Sequence, residues 1–154
     1  MALKPPITLI SRLDTLRAQR ELEDFEVAMS EAHVKGHHVP APTPLLKDIA
    51  EMNKIDLHKK EERLLVSHML EELRTSAPVV HISFAVEPEP KVTSTIAKWF
   101  REEIAPNVIL QVGIQPSIGV GCVVQTTNKF FDFSLRKHLN AKSDLFRKRI
   151  EGIA

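Results

Sequence analysis

Apolar positions along this chain follow two different periods, and the change of period divides it. From Leu9 to Met29 they recur every three or four residues, which predicts a helix from a cap at Thr8 or Ser11 to about Val34. The large side chains on that helix do not form a single stripe. Leu9, Leu13 and Leu16 lie on one side, while Leu22, Phe25 and Met29 lie roughly 150° away at 100° per residue. The helix therefore either breaks near Ala18 to Arg20 or touches two different surfaces. Gly36 and the alternating Pro40, Pro42 and Pro44 then disfavour helix and predict an extended linker. Leu45 to Asn53 reads as a short helix. Asp56 is positioned to cap a longer one, in which Leu65, Val66, Met69, Leu70 and Leu73 share a face and after which Pro78 closes the helical part.

From Val79 the period becomes two. Val80, Ile82, Phe84 and Val86 fall on one side of a predicted strand. Pro88 and Pro90 mark a helix start, and Val92, Ile96, Trp99, Phe100 and Ile104 form its stripe before Pro106, with Trp99 and Phe100 expected in the core. Val108, Leu110, Val112 and Ile114 alternate, Gln115-Pro116-Ser117 turns the chain, and Ile118, Val120, Cys122 and Val124 alternate again. Thr126-Thr127-Asn128 is the expected hairpin tip before Lys129-Phe130-Phe131, and a terminal helix carries Leu135, Leu139, Phe146 and Ile150. This order predicts an α+β fold: N-terminal helices, then a small strand-helix-strand-hairpin-helix sandwich with a mixed sheet, its first two strands parallel if they pair directly. The expected divisions are residues 1–44 (helix and Pro-rich linker), 45–76 (helical segment) and 77–154 (the α+β domain).

Gly119 and Gly121 alternate with Ile118, Val120 and Cys122, so on a continuous strand they leave one face bare of side chains. Close packing of the domain's own terminal helix is the expected use of that face. A phosphate cradle is not, because the strand, Gly-rich loop and helix context is missing. Asp132 and Ser134 are placed to cap the terminal helix. Cys122 sits among apolar neighbours and reads as an inert core thiol; a thiol-imidazole pair requires the fold to bring it to His81 or His138. His33 and His37 are four apart, but Gly36 and the prolines oppose the helix that a shared ligand face requires, and His38 reads with them as part of a solvated loop. No catalytic residue, cofactor or metal is expected.

With a formal net charge of +1, no whole-molecule field draws the chain to nucleic acid or an anionic surface. The basic residues Arg136, Lys137, Lys142, Arg147, Lys148 and Arg149 do concentrate in the last stretch, which leaves a small nucleic-acid-binding module as the alternative, although no aromatic residues interleave on the basic face as stacking platforms. The single cysteine fits a reducing compartment. No stretch approaches the roughly 20 apolar residues of a membrane span, and the start Met-Ala-Leu-Lys-Pro-Pro lacks a secretory core. A cytoplasmic location is expected, with any membrane association made through partners.

Ile118, Gly119, Asp132, Ser134, Arg136 and Leu139 stand in an order that resembles the C-terminal signature of the delta subunit of F-type ATP synthases, the oligomycin-sensitivity-conferring protein of mitochondria. The resemblance spans about residues 45–146 and is tightest over 117–139. It departs from the family pattern at Val120, where the family has a second glycine and this chain has Gly121 one place later. Thr127-Asn128 replaces a Gly-Asp turn, and Phe133 replaces the glycine between Asp and Ser. The part before the first strand is also shorter than the family's N-terminal bundle. What the resemblance implies is a non-catalytic peripheral-stalk subunit that supports proton-driven ATP synthesis. Its partners would be subunit b and the alpha subunits of the catalytic head, the head contact being less securely implied than the contact with b. A paralogue that has lost the head contact is the related alternative. The partner-binding residues expected are Gly119 and Gly121, with Arg136, Lys137, Arg147 and Lys148 of the terminal helix.

Overall fold

A computed structural model describes residues 3–36 and 38–135. The described residues form four helices and a four-stranded mixed sheet, an α+β fold. The chain divides into two compact units, with boundaries at Pro78/Val79, Glu89/Pro90 and Ile109/Leu110. Residues 90–109 thus rejoin the N-terminal helices, whereas the sequence division placed them with the strands. Among the described residues no helix is long and apolar enough to cross a membrane.

In the helical unit, α1 (Arg12–Lys35) starts in a capping box. The Asp14 amide donates to Ser11 Oγ at 3.2 Å and the Ser11 amide donates back to Asp14 Oδ2 at 2.8 Å, so two donors that the helix start would orphan are satisfied. Gly36 ends it in the left-handed conformation (φ 65°). The helix is unbroken through Ala18 to Arg20. Its buried stripe is Thr15, Ala18, Leu22, Phe25 and Ala32, with Met29 partly buried, while Leu13 is 77% exposed and Leu16 is exposed as well. The conflicting stripes resolve into one packed face and one open face.

Pro44, expected within the linker, instead opens α2 (Pro44–Asn53): Thr43 caps it, and a proline in the first turn has no amide to leave unsatisfied. Asp56 does not cap α3 (Lys60–Thr75), whose N-cap is Lys59. Asp56 instead closes a turn ahead of that helix, accepting from the His58 amide at 2.9 Å, while its own amide donates to Glu62. On α3, Val66, Met69, Leu70 and Leu73 are buried and Leu65 is exposed. These residues form one core with Leu9, Leu22, Phe25, Leu46, Ile49, Leu57 and Ile109. Arg63 ties the loop before α3 to α1, donating to the Leu57 and His58 carbonyls at 2.9 and 3.1 Å and to Glu26 at 3.3 Å.

The fourth helix, α4 (Pro90–Glu103), buries Ala97 and Phe100. Trp99 is not a core residue: it is 54% exposed and meets Phe100 only edge-on, with ring centroids 5.0 Å apart. Val92 and Ile104 are exposed too. The side chain that does organise this part of the unit is Arg101. Its guanidinium donates to the carbonyls of Pro6 at 2.8 Å, Val108 at 3.2 Å, Pro5 at 3.4 Å and Leu9. These bonds hold the segment before α1 with Leu9 fully buried. Asn53 fastens the same segment further back, accepting from the Lys4 amide at 2.8 Å and donating to the Lys4 carbonyl at 3.0 Å.

In the second unit the sheet order is β2-β1-β3-β4. Strand β1 (Val79–Phe84) is parallel to β2 (Ile109–Ile114), the pairing bracketed by Ile109 N to Pro78 O at 3.0 Å and Gln115 N to Phe84 O at 2.7 Å. β3 (Cys122–Gln125) is antiparallel to β1 and to β4 (Phe130–Asp132). Val80 and Ile82 are buried as the alternation requires, but β1 ends at Phe84 and leaves Val86 exposed beyond it.

Replacing Arg101 with Met keeps the apolar stem and removes every donor. The expected loss is about 2–3 kcal/mol, read from urea unfolding, with hydrogen-exchange protection lost first at Leu9. Arg101→Lys recovers only part of it, because one ammonium does not reproduce the fork.

Candidate functional site

The stretch after β2 carries the residues singled out in the sequence. Pro116–Ile118 form one 3-10 turn and Ile118 is buried. The expected strand from Ile118 to Val124 is shorter than its alternation suggests, for a backbone reason. Gly119 and Gly121 have φ of 75° and 99°, which ladder residues do not adopt, so β3 begins only at Cys122. The glycines are therefore lead-in residues and do not bare a strand face.

Their roles differ. A Cβ on Gly119 meets nothing within 4 Å, so only its backbone conformation calls for glycine. A Cβ on Gly121 would lie 2.3 Å from the Phe133 carbonyl oxygen and 3.1 Å from Ser134 Cα. The space left by the missing side chain is filled by the chain's own backbone. Two hydrogen bonds flank that approach: Phe133 N to Cys122 O at 2.9 Å and Leu135 N to Val120 O at 2.8 Å. Between them the Ser134 amide donates to Asp132 Oδ1 at 2.8 Å, and Ser134 is buried. The glycine pair and the Asp-x-Ser motif, separated in sequence by the hairpin, thus close into one clasp.

The hairpin itself turns through Thr126 to Lys129, as expected. The Thr126 amide donates to the Lys129 carbonyl at 2.8 Å and the Lys129 amide to Thr126 Oγ1 at 3.1 Å. The exposed aromatics beside the clasp were not anticipated. Phe130, Phe131 and Phe133 are exposed, and the last two stack with centroids 6.1 Å apart and planes inclined by 14°. β4 lies at the edge of the sheet, and three phenylalanines within four residues at such a position were the signal available.

Cys122 and His81 do not meet. Cys122 pairs with Phe84 and His81 with Gln125, three positions apart along the strand or roughly 10 Å. Partial burial raises the Cys122 pKa and keeps the thiol protonated and weakly nucleophilic. α1 ends at Lys35, so it supplies no helix face joining His33 to the residues after Gly36, and His38 Nδ1 lies 2.8 Å from the Val39 carbonyl. His37, His138, Arg136, Lys137, Leu139, Arg147 and Lys148, together with the rest of the expected terminal helix, lie outside the described residues.

Comparison with protein-family models and with curated protein sequences finds no match to this chain.

The two glycines separate experimentally. Gly119→Ala is expected to cost about 1–3 kcal/mol, the strain of a sparsely populated backbone conformation (φ 75°, ψ −74°) alone. Gly121→Ala adds a backbone collision and is expected to cost clearly more, shown by a lower urea midpoint than that of the Gly119 variant. Equal midpoints would contradict the clasp.

Proposed function

We propose that this chain is a non-catalytic stator subunit similar to the delta subunit of F-type ATP synthases, an adaptor between the catalytic head and subunit b. Its attachment to the membrane would run through those partners on the cytoplasmic face. The observation that carries this reading is the clasp. The two halves of the family-like stretch, around Gly119 to Gly121 and Asp132 to Ser134, meet through backbone bonds at 2.8 and 2.9 Å. Of the residues behind the resemblance, Asp132 and Ser134 take part directly, forming a tight turn in which the carboxylate accepts from the Ser134 amide.

A subunit of this kind works mechanically: it resists torque by keeping its shape while gripping helices of its neighbours. Amphipathic helices seated in apolar grooves are a recognised form of such a grip.

Affinity purification of the full chain from its native host tests the proposal. Recovery of ATP synthase alpha and b subunits in fixed proportion is the expected result. Recovery of b without alpha would assign a stator joint lacking the head contact. Recovery of neither, or of polynucleotide released steeply by added salt, overturns it.

A further inference from the structure

The open face of α1 carries a second pattern that none of the described residues covers. Leu13, Leu16, Arg20, Glu23 and Val27 are all exposed, opposite the packed stripe of Thr15, Ala18, Leu22 and Phe25. They recur at alternating steps of three and four, the seam of a two-helix coiled coil. Leu13 is 77% and Val27 60% exposed. Arg20 makes no ion pair among the described residues, and Glu23 receives only a hydrogen bond from Gln19 at 3.3 Å.

We propose that this face pairs with α1 of a second copy of the chain, the two helices antiparallel about a two-fold axis. The charge order selects both occupant and direction. Arg12, Arg17 and Arg20 lie in the N-terminal part of the seam and its flanks, Glu23, Asp24 and Glu31 in the C-terminal part. Arg17 is already paired with Glu21 at 2.9 Å and Glu31 with Lys35 at 3.1 Å, so Arg20 and Glu23, in no ion pair among the described residues, carry the selection. In the antiparallel register that sets Arg20 against the partner's Glu23, Leu16 packs on the partner's Val27 and Arg17 comes beside the partner's Asp24. The two-fold axis makes each of these contacts twice. A parallel pair would instead stack Arg20 on Arg20 and Glu23 on Glu23. The apolar part of the seam is short, so the dimer is weak, and the central charged layer fixes register more than it adds affinity. This inference does not depend on the stator reading.

Sedimentation equilibrium of the full chain over a concentration series tests it. The expected result is a reversible monomer–dimer equilibrium that Val27→Glu abolishes. Arg20→Glu or Glu23→Arg alone should weaken it roughly three- to tenfold, and the double variant R20E/E23R should return it to the wild-type value. Both positions are exposed, so the far-ultraviolet circular dichroism of the variants stays that of the wild type. A wild-type chain that remains monomeric throughout, a dimer indifferent to Val27→Glu, or a double variant no tighter than the singles would each overturn the proposal.

Discussion

The helical unit depends on one cation satisfied by carbonyl dipoles. Arg101 is partly withdrawn from water, which lowers its pKa, yet no carboxylate pairs with it among the described residues. Its charge is balanced by the oxygens of Pro5, Pro6, Leu9 and Val108. The arrangement answers a problem set by the prolines. Pro5 and Pro6 have no amide hydrogens, so the segment cannot enter a sheet or helix ladder, but its carbonyls still need donors wherever the chain is buried. A planar fork with several N–H groups serves them from a single side chain. Burial of Leu9, ahead of the Ser11 cap that starts α1, follows from that placement. Arg63 serves the carbonyls of the loop before α3 in a similar way, here with Glu26 as a carboxylate partner, and Leu57 is buried next to the carbonyls it holds.

Much of this was legible in the sequence. The switch of period after Pro78, the Ser11 cap, the Gly36 stop and the hairpin at Thr126 to Lys129 each rest on local rules, and each formed. Helix orientation was read less well, for a consistent reason. Weighting large side chains leaves the faces of α1 and α4 ambiguous, because small residues complete the buried lines that Leu22, Phe25 and Phe100 only begin. Thr15 and Ala18 mark the buried line of α1 and Ala97 that of α4, while Leu13, Leu16 and Trp99 stay outside. Small side chains let helix axes approach, and the packing follows them. Arg101 carries no such signal, because a cation one turn after Ala97 looks like surface until the carbonyls it meets, three of them 92 to 96 residues earlier in the chain, are known.

The glycine segment was read as important but given the wrong geometry. Alternation of Ile118, Val120, Cys122 and Val124 satisfies the rule for a strand, and that rule is blind to the sign of φ. Turn and strand can share one binary pattern, and only the backbone tells them apart. The same blindness explains why β4 was placed correctly while its aromatics were not weighed. Their importance comes from lying at an edge of the sheet, and strand order is a long-range property.

The clasp is backbone chemistry, and it makes unequal demands on the residues that form it. Neither Val120 nor Phe133 takes a positive φ. Their side chains are 62% and 60% exposed, and only their backbone groups bond across the clasp. A position that contributes an amide or a carbonyl and points its side chain to solvent accepts any residue whose φ is ordinary. Glycine is required where another backbone occupies the place of Cβ, and in this chain that requirement falls on Gly121. Substitutions at Val120 and Phe133 that keep an ordinary φ therefore leave the contact intact, whereas any side chain at Gly121 displaces the backbone it meets.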